Sequence, residues 1–108
     1  MSLSHSIKIY VPGTVNVNCA VDNTAAVNGC LSFLSGLFGG ATSQAARGAW
    51  VSESAGLVLE DVTICFSFCS LGGLLKNRSA VLQYAKTIRD DMKQESVSVE
   101  IDGRLYFV

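Results

Sequence analysis

Charge is scarce in this sequence: 16% of its 108 residues are Asp, Glu, Lys or Arg, against about 25% in an average globular domain. The eight Lys and Arg residues are scattered and the net charge is −1. Phosphate backbones are bound through a basic stripe, and none is present, so nucleic acid is not an expected partner. Histidine occurs once, at His5 near the N-terminus, which leaves Ser-His-Asp and Cys-His chemistry without its base. Cys19, Cys30, Cys65 and Cys69 form no C-x-x-C pair, so neither a zinc site nor any other metal site is expected. No apolar run approaches the ~20 residues of a membrane span. The most apolar stretch, Leu31 to Ala41, is interrupted by Gly36, Gly39 and Gly40. Residues 1–10 lack a basic region followed by an apolar one, so the expectation is a cytoplasmic protein with reduced thiols and no membrane partner.

What is abundant is apolar side chain, at 49% of the chain, which excludes disorder. One core suits this length, so residues 1–108 are read as a single α+β domain. So much apolar surface with so little charge fits either a well-filled core or a buried subunit interface, and a homo-oligomer is expected.

Ile7-Lys8-Ile9-Tyr10-Val11 alternates and ends at Pro12-Gly13, which predicts a first strand and a turn. Gly13 to Val21 reads as a polar loop, with Asp22 or Thr24 capping a helix. Val27, Cys30, Leu31, Leu34 and Phe38 share one helical face, and Gly39-Gly40 stop it. A second strand is predicted over Gly48 to Glu53, a turn at Ser54-Ala55-Gly56, and a long third strand over Leu57 to Phe68. On that strand Val62, Ile64, Phe66 and Phe68 form the apolar, core face, and Thr63, Cys65, Ser67 and Cys69 the semi-polar one. After a Gly72-Gly73 loop, Asn77 is the expected cap of a helix to about Gln94, with Val81, Tyr84, Ala85, Ile88 and Met92 inward. A hairpin about Asp102-Gly103 closes the chain. The order β-α-β-β-α-β plus one C-terminal hairpin strand predicts a ferredoxin-like two-layer sandwich. Register in that hairpin puts Leu105 and Phe107 on the open side of the sheet, where a partner subunit would cover them.

Two clusters carry functional chemistry. Gly39, Gly40, Thr42, Ser43 and Arg47 combine loop backbone, hydroxyls and a guanidinium, a set suited to an anion. These glycines follow a helix, whereas P-loop and dinucleotide cradles precede one, so no cofactor is expected. The plainer reading of this segment is a helix stop with a connecting loop. Trp50 and Glu60 flank the predicted turn on adjacent strands and would form a binding wall, unless Trp50 is simply core and Glu60 solvated. The adjacent carboxylates Glu60-Asp61 and Asp90-Asp91 face different directions and do not form an acid–base pair.

Lys8-Ile9-Tyr10, the run Phe38-Gly39-Gly40-Ala41-Thr42, and Gly48-x-Trp50 followed by Gly56 and Glu60 together resemble a family of small uncharacterised bacterial proteins. The "FGGAT" run is similar to phage and mobile-element members in particular. The resemblance spans about half of the chain; it implies a ferredoxin-like fold and a mobile-element origin, and lends no catalytic residues. The expected function is therefore a non-catalytic binding module that holds a small anionic or nucleotide ligand, or a host protein, in an anti-defence role. The alternative is a small enzyme using Arg47, Glu60 and a tyrosine such as Tyr10 at a subunit interface.

Overall fold

The computed structural model describes residues 1–16 and 19–108; Val17 and Asn18, inside the loop expected over residues 13–21, lie outside the described residues. Strand β1 (His5–Pro12) realises the first alternating segment, with Ile7, Ile9 and Val11 fully buried. Among its described residues the flanking loop carries a two-residue ladder, β2 (Thr14–Val15) with β3 (Cys19–Ala20). Helix α1 (Thr24–Phe38) buries Val27, Cys30 and Leu34 and partly buries Leu31 and Phe38, the predicted face. The cap position is Asn23, while Asp22 before it accepts the Thr24 N–H at 2.9 Å. The Asn23 amide instead donates to the Pro12 carbonyl and to Thr63 Oγ1, tying the helix to the sheet. Gly39 closes α1 in the left-handed conformation (φ 89°), its N–H donating to the Ser35 carbonyl at 2.8 Å.

Next come β4 (Thr42–Ser52), β5 (Gly56–Cys69), α2 (Leu71–Asp91), β6 (Ser98–Ile101) and β7 (Arg104–Phe107). The main sheet has the order β4-β5-β1-β6-β7, and every neighbouring pair is antiparallel. Both helices contribute to one core cluster against the Ile7-Ile9-Val11 side of the sheet, so the molecule is an α+β two-layer structure.

Three expectations are corrected. The segment 42–47, read as loop, is strand, because β5 pairs with it from Thr42 onward and small side chains do not prevent pairing. Helix α2 begins at Leu71, six residues before the expected cap Asn77: Ser70 Oγ accepts the Gly73 N–H at 3.1 Å, so Gly72 and Gly73 occupy the first turn. The faces of β5 are inverted. Ile7 pairs with Ser67 and Ile9 with Cys65, which turns Cys65, Ser67 and Cys69 under the helices and Val62, Ile64, Phe66 and Phe68 outward. Side chains directly opposite share a face, and β1 with its isoleucines sets that face. The buried Ser67 hydroxyl donates to the Gly40 carbonyl at 2.6 Å, so its burial leaves no polar group unpaired.

In the last hairpin Asp102 (φ 50°) and Gly103 (φ 82°) form the two-residue turn, and Val99 faces Tyr106 as expected. All four thiols are free, with Cys30, Cys65 and Cys69 buried and Cys19 exposed. Among the described residues no helix is long and apolar enough to cross a membrane.

Candidate functional site

The side of the sheet turned away from the helices carries the chemistry. Tyr10 on β1 faces Ile64, Pro12 faces Val62, Gly48 faces Glu60 and Trp50 faces Val58. Alternation then places Tyr10, Trp50, Glu60 and Val62 on one surface. Phe107, opposite Ser98 on β6, shares it. Together with the 94–98 segment these residues line an open groove of about 560 Å³.

One wall of the groove is fixed by hydrogen bonds. Gln94 Nε2 donates to the Thr14 carbonyl at 2.8 Å and to the Met92 carbonyl at 3.2 Å, which pins the turn that presents Glu95 and Ser96. Glu60, Asp61 and Glu95 belong to the lining with the aromatics Tyr10, Trp50 and Phe107; on β5 it is the Glu60 carboxylate that faces the groove, Asp61 being turned with Arg47 to the other side of the sheet. No lysine, arginine or histidine is among the described lining residues. Lys8, further along the same face, is held by Glu100 with Nζ and Oε2 3.3 Å apart. A carboxylate-rich, aromatic groove suits a cation bearing a flat apolar group.

The seven ligand-binding residues expected from sequence do not form one site. Trp50 and Glu60 come together in the groove, and Trp50 is 45% exposed rather than core. Gly39, Gly40, Thr42 and Ser43 lie toward the other end of β4; from Thr42 to Trp50 a strand rises about 27 Å. Arg47 pairs in register with Asp61 and faces the helix side of the sheet, away from Trp50. The anion site centred on Arg47 is thus dismantled by alternation along β4. Missed in the sequence reading were Glu95 and Ser96, which lie in an unpatterned loop, and Phe107, assigned there to a subunit interface alone. Leu105 and Phe107 do project from the open face, Phe107 being 71% exposed.

No buried thiol reaches this groove. Cys30 is pushed up by its hydrogen bond with Cys65 and by burial, and burial followed by the Asp102 charge raises Cys69. Among the described residues no cluster of His, Cys, Asp and Glu could hold a metal ion.

This architecture has counterparts among solved structures. The chain shares the fold of a phage SAM lyase. The lyase in complex with S-methyl-5'-thioadenosine matches with a TM-score of 0.70 and 23% identity, over 100% of this chain and 92% of the lyase. Its apo state matches with a TM-score of 0.69 and 23% identity, over 98% and 89% of the two chains. No family model matches the sequence, and no curated protein does. The fold neighbour is an enzyme, so it lends no support to the expectation of a non-catalytic module.

Proposed function

We propose that the groove binds S-adenosylmethionine and that the protein cleaves it, releasing S-methyl-5'-thioadenosine. The observation that carries this reading is the groove itself, lined by the carboxylates of Glu60 and Glu95 and by three aromatic rings, with no basic side chain among its described lining. A sulfonium is a permanent cation, attracted by carboxylates and by aromatic faces, and its adenine is a flat group for Trp50 to cover. The likeness to a phage SAM lyase along the whole chain supports the choice among such cations.

The reaction asks little of the protein. Sulfonium sulfur leaves without protonation, because the electron pair of the broken C–S bond cancels its charge. The carbon left behind completes its valence within the substrate, by ring closure or by loss of a proton to a carboxylate such as Glu60. Neither route consumes water. Glu60, half-buried on the open face, holds the charged end, and Tyr10, further along the same groove, offers a hydroxyl.

In the same proposal a second copy covers Leu105 and Phe107 and closes the open side of the groove, making the protein a homo-oligomer with its site at a subunit contact. The strand order β4-β5-β1-β6, with helices following β1 and β5, supports the ferredoxin-like reading with β7 added at the edge. Depletion of a methyl donor in a phage or mobile-element setting is an anti-defence activity.

Incubation with S-adenosylmethionine, followed by chromatography and mass spectrometry, tests the reading. S-methyl-5'-thioadenosine accumulates with the native chain, Glu60→Gln lowers its rate at least tenfold, and Arg47→Ala leaves it unchanged. Absence of both binding and product at saturating substrate ends this proposal.

A further inference from the structure

Beyond its adenosyl part, S-adenosylmethionine carries a sulfonium, an ammonium and a carboxylate. The groove has partners for the two cations in Glu60 and Glu95 and in the faces of its aromatic rings. It has no charged partner for the carboxylate. No lysine, arginine or histidine is among the described lining residues, and none of those residues belongs to α1 or α2, so no helix N-terminus opens on the groove. Neutral donors remain in the hydroxyls of Tyr10 and Ser96. Ser96 adjoins Glu95, however, so an anion bound there faces a like charge.

The cations around the groove are committed elsewhere or turned away. Arg47 lies opposite Asp61 on the helix side of the sheet, and Arg104 lies opposite the buried Ile101 on that same side. Lys93, exposed two residues before Glu95, stands outside the lining. Alternation leaves Lys8 as the basic side chain that the main sheet turns to its open side, and Glu100 holds it at 3.3 Å. A second copy laid on this face brings the same paired lysine.

We propose that the groove selects against a carboxylate at this end of its ligand, and that decarboxylated S-adenosylmethionine binds more tightly than S-adenosylmethionine itself. The inference rests on the proposed function in one respect, that the groove takes an adenosyl sulfonium. Decarboxylation keeps the sulfonium and the ammonium, with their partners, and removes the one group that Glu60 and Glu95 repel. Specificity of this kind comes from an unfavourable contact with the carboxylate form rather than from a new contact with the other. The preferred ligand class is an adenosyl sulfonium with an amine-bearing arm and no acid.

Trp50 is the one tryptophan of the chain and stands in the groove, so its fluorescence reports occupancy. Rapid-mixing titrations of the native protein with each compound read affinity before turnover. Decarboxylated S-adenosylmethionine should bind at least about tenfold more tightly, and the gap should narrow as salt is raised. Glu95→Gln, with folding confirmed by circular dichroism, should also narrow it, because part of the repulsion is then gone. That ratio of affinities is a quantity that a purely structural role for Glu95 does not move. Equal affinities, or tighter binding of S-adenosylmethionine, overturn this inference, and the proposed reaction still stands if S-methyl-5'-thioadenosine is released. A gap indifferent both to salt and to Glu95→Gln overturns it as well. No fluorescence response to either compound, with no product, ends both proposals together.

Discussion

Trp50 sits on β4 with its indole turned away from the helices and about half open to solvent. A tryptophan packed in a core costs about 3–5 kcal/mol when cut to alanine. Here Trp50→Ala should cost less than about 1 kcal/mol in a denaturant titration. The same substitution should weaken ligand binding at least tenfold by calorimetry. Loss of several kcal/mol with binding intact would return Trp50 to a structural role. At the other end of β1, Asp102 is held below the ordinary carboxylate range, first by its hydrogen bond with His5 and then by the Ser6 N–H. A carboxylate lowered on folding stabilises the fold above its ordinary value, and that contribution disappears as pH falls through the lowered one. Asp102→Asn should therefore lower Tm at neutral pH and have no effect well below about pH 3.9, the ordinary aspartate value. Asparagine tolerates the left-handed backbone at this position, so the change isolates the charge. A Tm difference that persists unchanged into acid would assign the effect to shape.

Among the elements, α2 depends on a short cap. Ser70→Ala removes the acceptor of the Gly73 N–H and should cost about 1 kcal/mol, read as a fall in Tm. An unchanged Tm would show that water satisfies that end. This cap also explains what was legible in the sequence and what was not. Helix α1 could be read because its periodic face runs straight into Gly39, and the last hairpin because Asp102-Gly103 admits few other turns. The start of α2 was hidden because Gly72-Gly73 resembles a loop until Ser70 is seen to hold it. The start of β4 was hidden because Thr42 to Arg47 is small and polar, and only pairing with β5 makes it a strand. The face of β5 was misread for a subtler reason. Its larger residues look like core, yet Ile7 and Ile9 of β1 had already claimed the helix side, and pairing turned the cysteines inward. Of the candidate site, Trp50 and Glu60 were legible from their positions about the turn. The rest depends on long-range register that a single sequence does not display.

At the scale of the molecule, the inversion of β5 leaves a sheet whose uncovered side is more apolar than water favours. Phe68, Leu105 and Phe107 are exposed there. Burying one such side chain is worth about 1.5–3 kcal/mol, so Phe107→Asp should weaken association through this face at least tenfold by light scattering. A monomer at every concentration, with or without the change, would show that the face meets solvent. Strand order has a consequence for how the chain is made. The first strand lies at the centre of the sheet, and its partners are β5 on one side and β6, at Ser98–Ile101, on the other. Contacts between such distant segments form late, because the intervening loop must close before it is rewarded. During synthesis β1 emerges first yet keeps an open edge until nearly all of the remaining chain has followed. The β4–β5 hairpin, whose pairing is local, can close well before then. The nascent chain therefore acquires this hairpin before it acquires its centre.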